Sequence, residues 1–364
     1  MPSDKKASEA IRLLENYKKK VEPLLVRYFD AKIEQASKVD ALAEEAVRMI
    51  ADFTLAAGKR IRPALVYYGY LAAGGREVEN IIEASIGIEL AHTFLLIHDD
   101  IIDKDARRHG VSTLHERYKK IGRRLNFKKD AVHFGNSMAM LAGDMANAMA
   151  NEIIFNSQFS PEVIVRALDK LQEIVYTIVP GEMLDLILET RGRATEVEVL
   201  RMYEGKTASY SFEGPLHLGS LMAGKENGNM LKDFSAYAYP VGKAFQIKDD
   251  IIGLFGSEKK IGKPVGSDII EGKETLLVVK TRELGNRNQR AIIRKYLGKK
   301  DIKKPELEEF QMAVRESGSL DYAEKLADSF IQESLAVLDG INVRSTEAEV
   351  FLRGMAEYMM TREF

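Results

Sequence analysis

Apolar residues recur three and four positions apart along most of the chain, as in IRLLENYKKKVEPLLVRYF and EAVRMIADFTLAAG, the spacing of one face of an α-helix. Only 9 Pro and few Asn-Gly or Asp-Gly turns interrupt it, so strands find no clear place. Breaks fall near Gly58, Gly74-Gly75, Ser160-Pro161, Gly192, Gly224 to Gly228 and Lys259 to Gly266. They divide the chain into about a dozen helices. The segment ALVYYGYL is β-prone in composition but lies between helical stretches, and it reads as a buried helix. Without internal repeats or a low-complexity linker, the expectation is an all-α protein with a single domain over 1–364. Its last part, about 285–364, is charged, helical and short of motifs, and reads as a packing and solubility region.

Composition narrows the chemistry. With 364 residues and 45% hydrophobic content the chain can bury a large core. There is no Cys, which excludes disulfides, thiolate metal sites and a thiol nucleophile. A net charge of −2, from 53 basic and 55 acidic residues, argues against nucleic acid as a partner. The N-terminal MPSDKKASEA lacks the apolar core of a signal peptide, and no run approaches the ~18 apolar residues of a membrane span. A cytoplasmic protein without a membrane span is expected.

Against this background two acidic pairs stand out, each inside an apolar helical run: Asp99-Asp100, with Asp103 after it, and Asp249-Asp250. Carboxylates this close repel and lose hydration when a helix packs around them, so the chain must supply a counter-charge. Oxygen-only donors without Cys or paired His favour Mg²⁺, which fills its octahedron with water and substrate phosphate. The expected substrate is a phosphate or diphosphate. Asp99 and Asp103 are four apart and share a helix face, with His92 seven residues upstream on the same stripe.

Cations accompany both motifs. Arg107, Arg108 and His109 follow the first. Lys59, Arg60 and Arg62 follow Gly58 and precede Pro63, which suits a helix N-terminus able to hold an anion. Lys206-Thr207 in YEGKTASY, Gln246 three residues before Asp249, and Lys263 and Lys273 after it are further candidates, each weak alone. GSEKKIGKP and GSDIIEGKE miss the phosphate-loop pattern, with five residues between the glycines instead of four and no Ser or Thr after the Lys.

In order from about Ala56 to Lys280, GKRIRP, HDDIID with RHG, PGEMLDL, GKTASYS, FQIKDD and GKPVGSDIIEGK together resemble the trans-isoprenyl diphosphate synthases, the head-to-tail prenyltransferases. The resemblance implies an all-α isoprenoid synthase fold around a central apolar cavity, usually a homodimer. It implies that Asp99, Asp103 and Asp249, with Asp100 and Asp250 beside them, hold two to three Mg²⁺ ions against an allylic diphosphate. Arg108, Lys206, Thr207, Gln246, Lys263 and Lys273 would bind that diphosphate. Lys59, Arg62, His92 and His109 would bind isopentenyl diphosphate.

Three positions depart from the family pattern: His109 stands where a second Arg is usual, Gly253 occupies the third Asp position of the second motif, and Glu182 replaces a common Gln. None removes a principal metal ligand. A terpene cyclase would not need the Lys59–Arg62–His92 set, and a non-catalytic subunit of a heteromeric synthase would typically lose Asp from one motif. By the same resemblance, Phe94, with Leu95 beside it, forms the floor that stops chain growth, roughly 7.5 Å below Asp99 at 1.5 Å per residue. The implied product carries fifteen or twenty carbons, with twenty preferred because the motifs look archaeal-type.

Overall fold

The helical spacing is realised in a computed structural model that describes residues 2–56, 58–108, 110–125, 130–224, 228–256 and 265–361. His109 and Lys263 lie outside the described residues. The chain packs as two units, one of Arg12–Leu171 with Leu218–Lys225, the other of Met1–Ile11, Gln172–His217 and Glu226–Phe364.

The first unit contains most of α1 (Pro2–Ser37), then α2 (Ala41–Leu55), α3 (Ile61–Ala72), α4 (Val78–Ile102), a hairpin of β1 (Arg107–Arg108) and β2 (Val111–Ser112), α5 (Leu114–Arg124), α6 (Ala131–Phe155) and the start of α7 (Pro161–Arg191). Its core helix is α4, whose Ile81, Ile82, Ile86, Ile88, Leu90, Ala91 and Ile97 are buried. Burial of a large aliphatic side chain stabilises by about 1.5–3 kcal/mol, which outweighs any local preference. Each buried polar side chain of α4 has at least one partner, as a low-dielectric interior favours. Ser85 Oγ lies 2.6 Å from Tyr17 Oη, Thr93 Oγ1 lies 3.0 Å from Thr54 Oγ1, and Glu89 and Asp100 accept from Arg60 and Arg108. On another face α4 meets α6 running the opposite way: a Cβ on Gly87 would lie 2.9 Å from Ile154, and one on Gly143 only 2.4 Å from His98.

This helix bears on the expectation that no segment spans a membrane. Val78–Ile102 is apolar enough to cross a membrane, with a mean hydropathy of 1.4 over its best window, but 67% of that window is buried inside the protein. It is a core helix because its unit surrounds it. ALVYYGYL forms α3, as expected. The hairpin was not foreseen: two paired residues per strand are too few to give a period-2 pattern.

The second unit holds the rest of α7, α8 (Glu196–Tyr203), a π-helical segment (Glu204–Glu213), the first part of α9 (Gly214–Met222), α10 (Gly228–Phe255), α11 (Ser267–Glu271), α12 (Leu276–Leu284), α13 (Arg287–Tyr296), α14 (Lys304–Glu316), α15 (Ser319–Gly340) and α16 (Thr346–Thr361). The helix bearing the second acidic pair, α10, packs chiefly on α15 and the π segment. Ser334 Oγ donates to Tyr237 O at 3.1 Å, and Tyr237 Oη donates to Leu352 O at 2.7 Å. The C-terminal region is therefore structural support for α10.

Candidate active site

In the first unit α4 stops at the acidic motif. Asp103 caps it, its N–H donating to Asp99 O at 2.8 Å, so the helical stacking of the two side chains survives to the end. A carboxylate oxygen of Asp99 and one of Asp103 lie within 4.8 Å of one another. Lys104 then takes a left-handed φ of 61°, which turns the chain into the hairpin. The hairpin returns Arg108 to the motif. Its Nη2 donates to Asp99 Oδ2 at 2.8 Å and to Asp105 Oδ2 at 3.4 Å, and its Nε donates to Asp100 Oδ1 at 2.5 Å. Asp100 is 1% exposed, and its second oxygen, Oδ2, has no hydrogen-bond partner among the described residues. Burial pushes its carboxyl up to about 7, against the opposing pull of Arg108.

The basic turn and the helix meet nearby. Lys59 is exposed, and Arg62 Nη1 lies 3.0 Å from His92 Nε2. A guanidinium only donates, so His92 Nε2 is the acceptor and the ring carries its proton on Nδ1. Phe94 is half-buried, edge-on to His98 with centroids 4.8 Å apart and planes at 72°. His98 in turn lies over Gly143, 3.1 Å from Met140 O. Leu95 is half-buried beside it.

In the second unit the corresponding pair meets neutral donors. Asp250 is 5% exposed, accepting from Gln246 Nε2 at 2.9 Å and from Tyr203 Oη in a short hydrogen bond. Burial, then the charge of Asp268, raises the Asp250 carboxyl well above the ordinary range. Asp249 is half-exposed. Thr207 Oγ1 donates to Gln246 Oε1 at 2.6 Å, linking the π segment to α10. Wide π turns recur at functional sites, and this one carries Lys206 and Thr207. It approaches α7 backbone to backbone: a Cβ on Gly181 would sit 2.4 Å from Lys206 N.

That approach brings Lys206 Nζ to 2.8 Å from Asp185 and 2.9 Å from Glu182. Lys273 Nζ lies 3.2 Å from Asp185 and 3.2 Å from Glu189. Although burial works against it, Lys206 and Lys273 hold the Asp185 carboxyl below its usual range. Where a third motif Asp would stand, a Cβ on Gly253 would lie 3.3 Å from Asp268 Oδ2. The two units thus gather Asp99, Asp100, Asp103 and Arg108 in one, and Lys206, Thr207, Gln246, Asp250 and Lys273 in the other, each set within its own unit.

Residues 44–314 match the family model described as Polyprenyl synthetase. The chain belongs to that family. As a polyprenyl synthetase it is a prenyltransferase of isoprenoid biosynthesis with the all-α isoprenoid synthase fold. It is 35% identical to a geranylgeranyl diphosphate synthase of Sulfolobus acidocaldarius over 84% of this chain and 87% of that one. It is 32% identical to a geranylfarnesyl diphosphate synthase of Aeropyrum pernix over 84% of this chain and 91% of that one. A geranylgeranyl pyrophosphate synthase of Corynebacterium glutamicum, solved with isoprenyl diphosphate and magnesium, superposes with a TM-score of 0.89 at 30% identity, covering 95% of this chain and 99% of that one.

Several polar residues of this polyprenyl synthetase were not assigned roles from sequence. Asp185 and Asp268 lie in PGEMLDL and GKPVGSDIIEGK, so the segments were marked, but single carboxylates inside them carry no periodic signal. Tyr203 could be recognised only once its buried partners were placed, and Arg60, read with Lys59 and Arg62 as an anion-holding cation, is instead buried against Glu22, Glu89 and Thr54 O.

Proposed function

We propose that this polyprenyl synthetase condenses isopentenyl diphosphate with allylic diphosphates, chiefly to geranylgeranyl diphosphate, with farnesyl diphosphate as the shorter product, and that 1–364 works as one catalytic domain. The observation that carries this reading is the pairing of Arg62 with His92 beside the exposed Lys59. Arg62 pairs with His92, whereas Arg108 pairs with the acidic motif, as suits two diphosphates. A cyclase acting on one diphosphate has no use for it.

Mg²⁺ fits the acidic motif: the donors are carboxylates only, two of them within 4.8 Å, beside the buried, unpartnered Asp100 Oδ2. Asp99 and Asp103 would hold ions in the first unit and Asp249 in the second, while Asp100 and Asp250 brace the helices that carry them. Bound there, Mg²⁺ supplies Lewis acidity to the departing diphosphate. Arg108, Lys206 and Lys273 bind the allylic diphosphate and take up the charge that develops as its C–O bond breaks. Lys59, Arg62 and His92 orient isopentenyl diphosphate, whose double-bond electrons form the new C–C bond before a proton leaves.

For product length, relatives of similar identity are named for products one isoprene unit apart, so the floor decides. Phe94, backed by His98 against α6, is the proposed stop, which supports geranylgeranyl over geranylfarnesyl diphosphate. Exposed apolar residues on α7, Tyr176 (78%), Val179 (41%), Met183 (58%) and Ile187 (57%), form a stripe that supports a homodimer. The proposed setting is the cytoplasm. Incubation with labelled isopentenyl diphosphate and each allylic primer, followed by chain-length analysis, tests the reading. Twenty-carbon product is expected, and no incorporation with any primer would overturn it.

A further inference from the structure

We infer that Arg60, which no substrate role requires, is the positioning residue of the isopentenyl diphosphate site; the inference rests on the reading of Lys59 and Arg62 given above. Between an exposed Lys59 and a half-buried Arg62, Arg60 is 3% exposed. Its backbone is left-handed, with φ 54° and ψ 35°, and it stands as the N-cap of α3. A residue with a Cβ adopts this conformation only where its surroundings impose it.

The surroundings are explicit. Arg60 Nε donates to Glu22 on α1 at 2.9 Å, Nη1 donates to Glu89 on α4 in a short hydrogen bond, and Nη2 donates to Thr54 O at 2.9 Å. Thr54 O is one of the last-turn carbonyls of α2, which have no partner inside their own helix. One planar guanidinium therefore ties three helices to the turn from which Lys59 and Arg62 project. The same α4 that holds Glu89 holds His92 one turn on, so the anchor and the Arg62–His92 pair share one rigid support. Gly58 completes the fit: a Cβ there would sit 2.7 Å from Arg60 Nη1.

A lysine keeps the charge but cannot reproduce the three-way fork. In Arg60→Lys, and independently in Gly58→Ala, the KM for isopentenyl diphosphate should rise about tenfold, while kcat and the KM for the allylic substrate stay within about twofold. Gly58→Ala leaves every charged group in place, so it serves if Arg60→Lys fails to fold. A purely structural ion cluster would instead lower thermal stability and change both KM values in parallel. That result, or an unchanged KM for isopentenyl diphosphate in both variants, would overturn the inference. Arg62→Ala in the same assay separates the two levels. If it raises the isopentenyl KM and the Arg60 and Gly58 variants do not, positioning fails alone; if it has no effect, the site reading and the inference fail together.

Discussion

The two acidic motifs, HDDIID and KDDIIG, look like copies of one device, yet they are stabilised differently. In both, the first Asp is half-exposed and the second is buried: Asp99 beside Asp100, Asp249 beside Asp250. In the first unit the buried Asp faces a guanidinium, Arg108, which also reaches Asp99 and Asp105. In the second it faces a phenol and an amide, Tyr203 and Gln246. A charged partner compensates a carboxylate, whereas neutral donors under burial leave it better protonated. On the proposed reading each pair supplies one ligand and one anchor, and the anchor depends on elements that lie elsewhere in the chain.

The largest effect should follow loss of the first ligand. Asp99→Ala should lower turnover by orders of magnitude with the helical fold intact by circular dichroism, and a chelator should abolish wild-type activity until Mg²⁺ is restored. Full activity of either preparation would remove the basis for treating these Asp residues as metal ligands.

Replacing the anchors should separate the motifs by stability. Asp100→Asn leaves Arg108 short of its buried partner and should cost about 3 kcal/mol, the low end of the range for breaking a buried pair because Asp99 and Asp105 remain. Asp250→Asn still accepts one hydrogen bond and removes a buried ionisable group, so it should cost about 1 kcal/mol or less. Denaturant midpoints at equal m would measure both; equal losses would erase the distinction.

A gentler probe is pH in metal-free protein. Both anchors have raised folded pKa values, Asp100 at about 7. The folded state then holds protons the unfolded chain has released. The contribution to stability is complete below about pH 4 and is lost as pH rises, for Asp100 through about 7. Thermal melts from pH 5 to 8 should fall with pH, and Asp250→Asn should flatten the slope. An unchanged slope would count against a protonated Asp250.

The smallest effect concerns product. Phe94→Ala opens space that each added isoprene unit fills at about 0.8 kcal/mol per buried CH₂, so products should lengthen by at least one unit with normal use of the shortest primer. An unchanged spectrum would move the floor to Leu95 or a facing helix.

The helical fold, both motifs and the basic turn were legible because 3.6-residue periodicity and local spacing are written along the chain. What escaped depends on distance or on backbone detail. Asp185 bridges Lys206 and Lys273, 21 and 88 positions away. The π segment differs from an α-helix only in hydrogen-bond register, which side-chain pattern does not encode. The hairpin that returns Arg108 is too short for any period, and Arg60 read as one of three anion-holding cations until Glu22, Glu89 and Thr54 closed around it.

The division between ligand and anchor is tested most directly in the second motif by measuring Mg²⁺-dependent turnover of Asp249→Asn and Asp250→Asn side by side. The two changes are isosteric and adjacent. Asp249→Asn should lose orders of magnitude in kcat and need more Mg²⁺, while Asp250→Asn keeps most of its activity and the wild-type Mg²⁺ requirement. Equal losses, or the reverse order, would contradict the account.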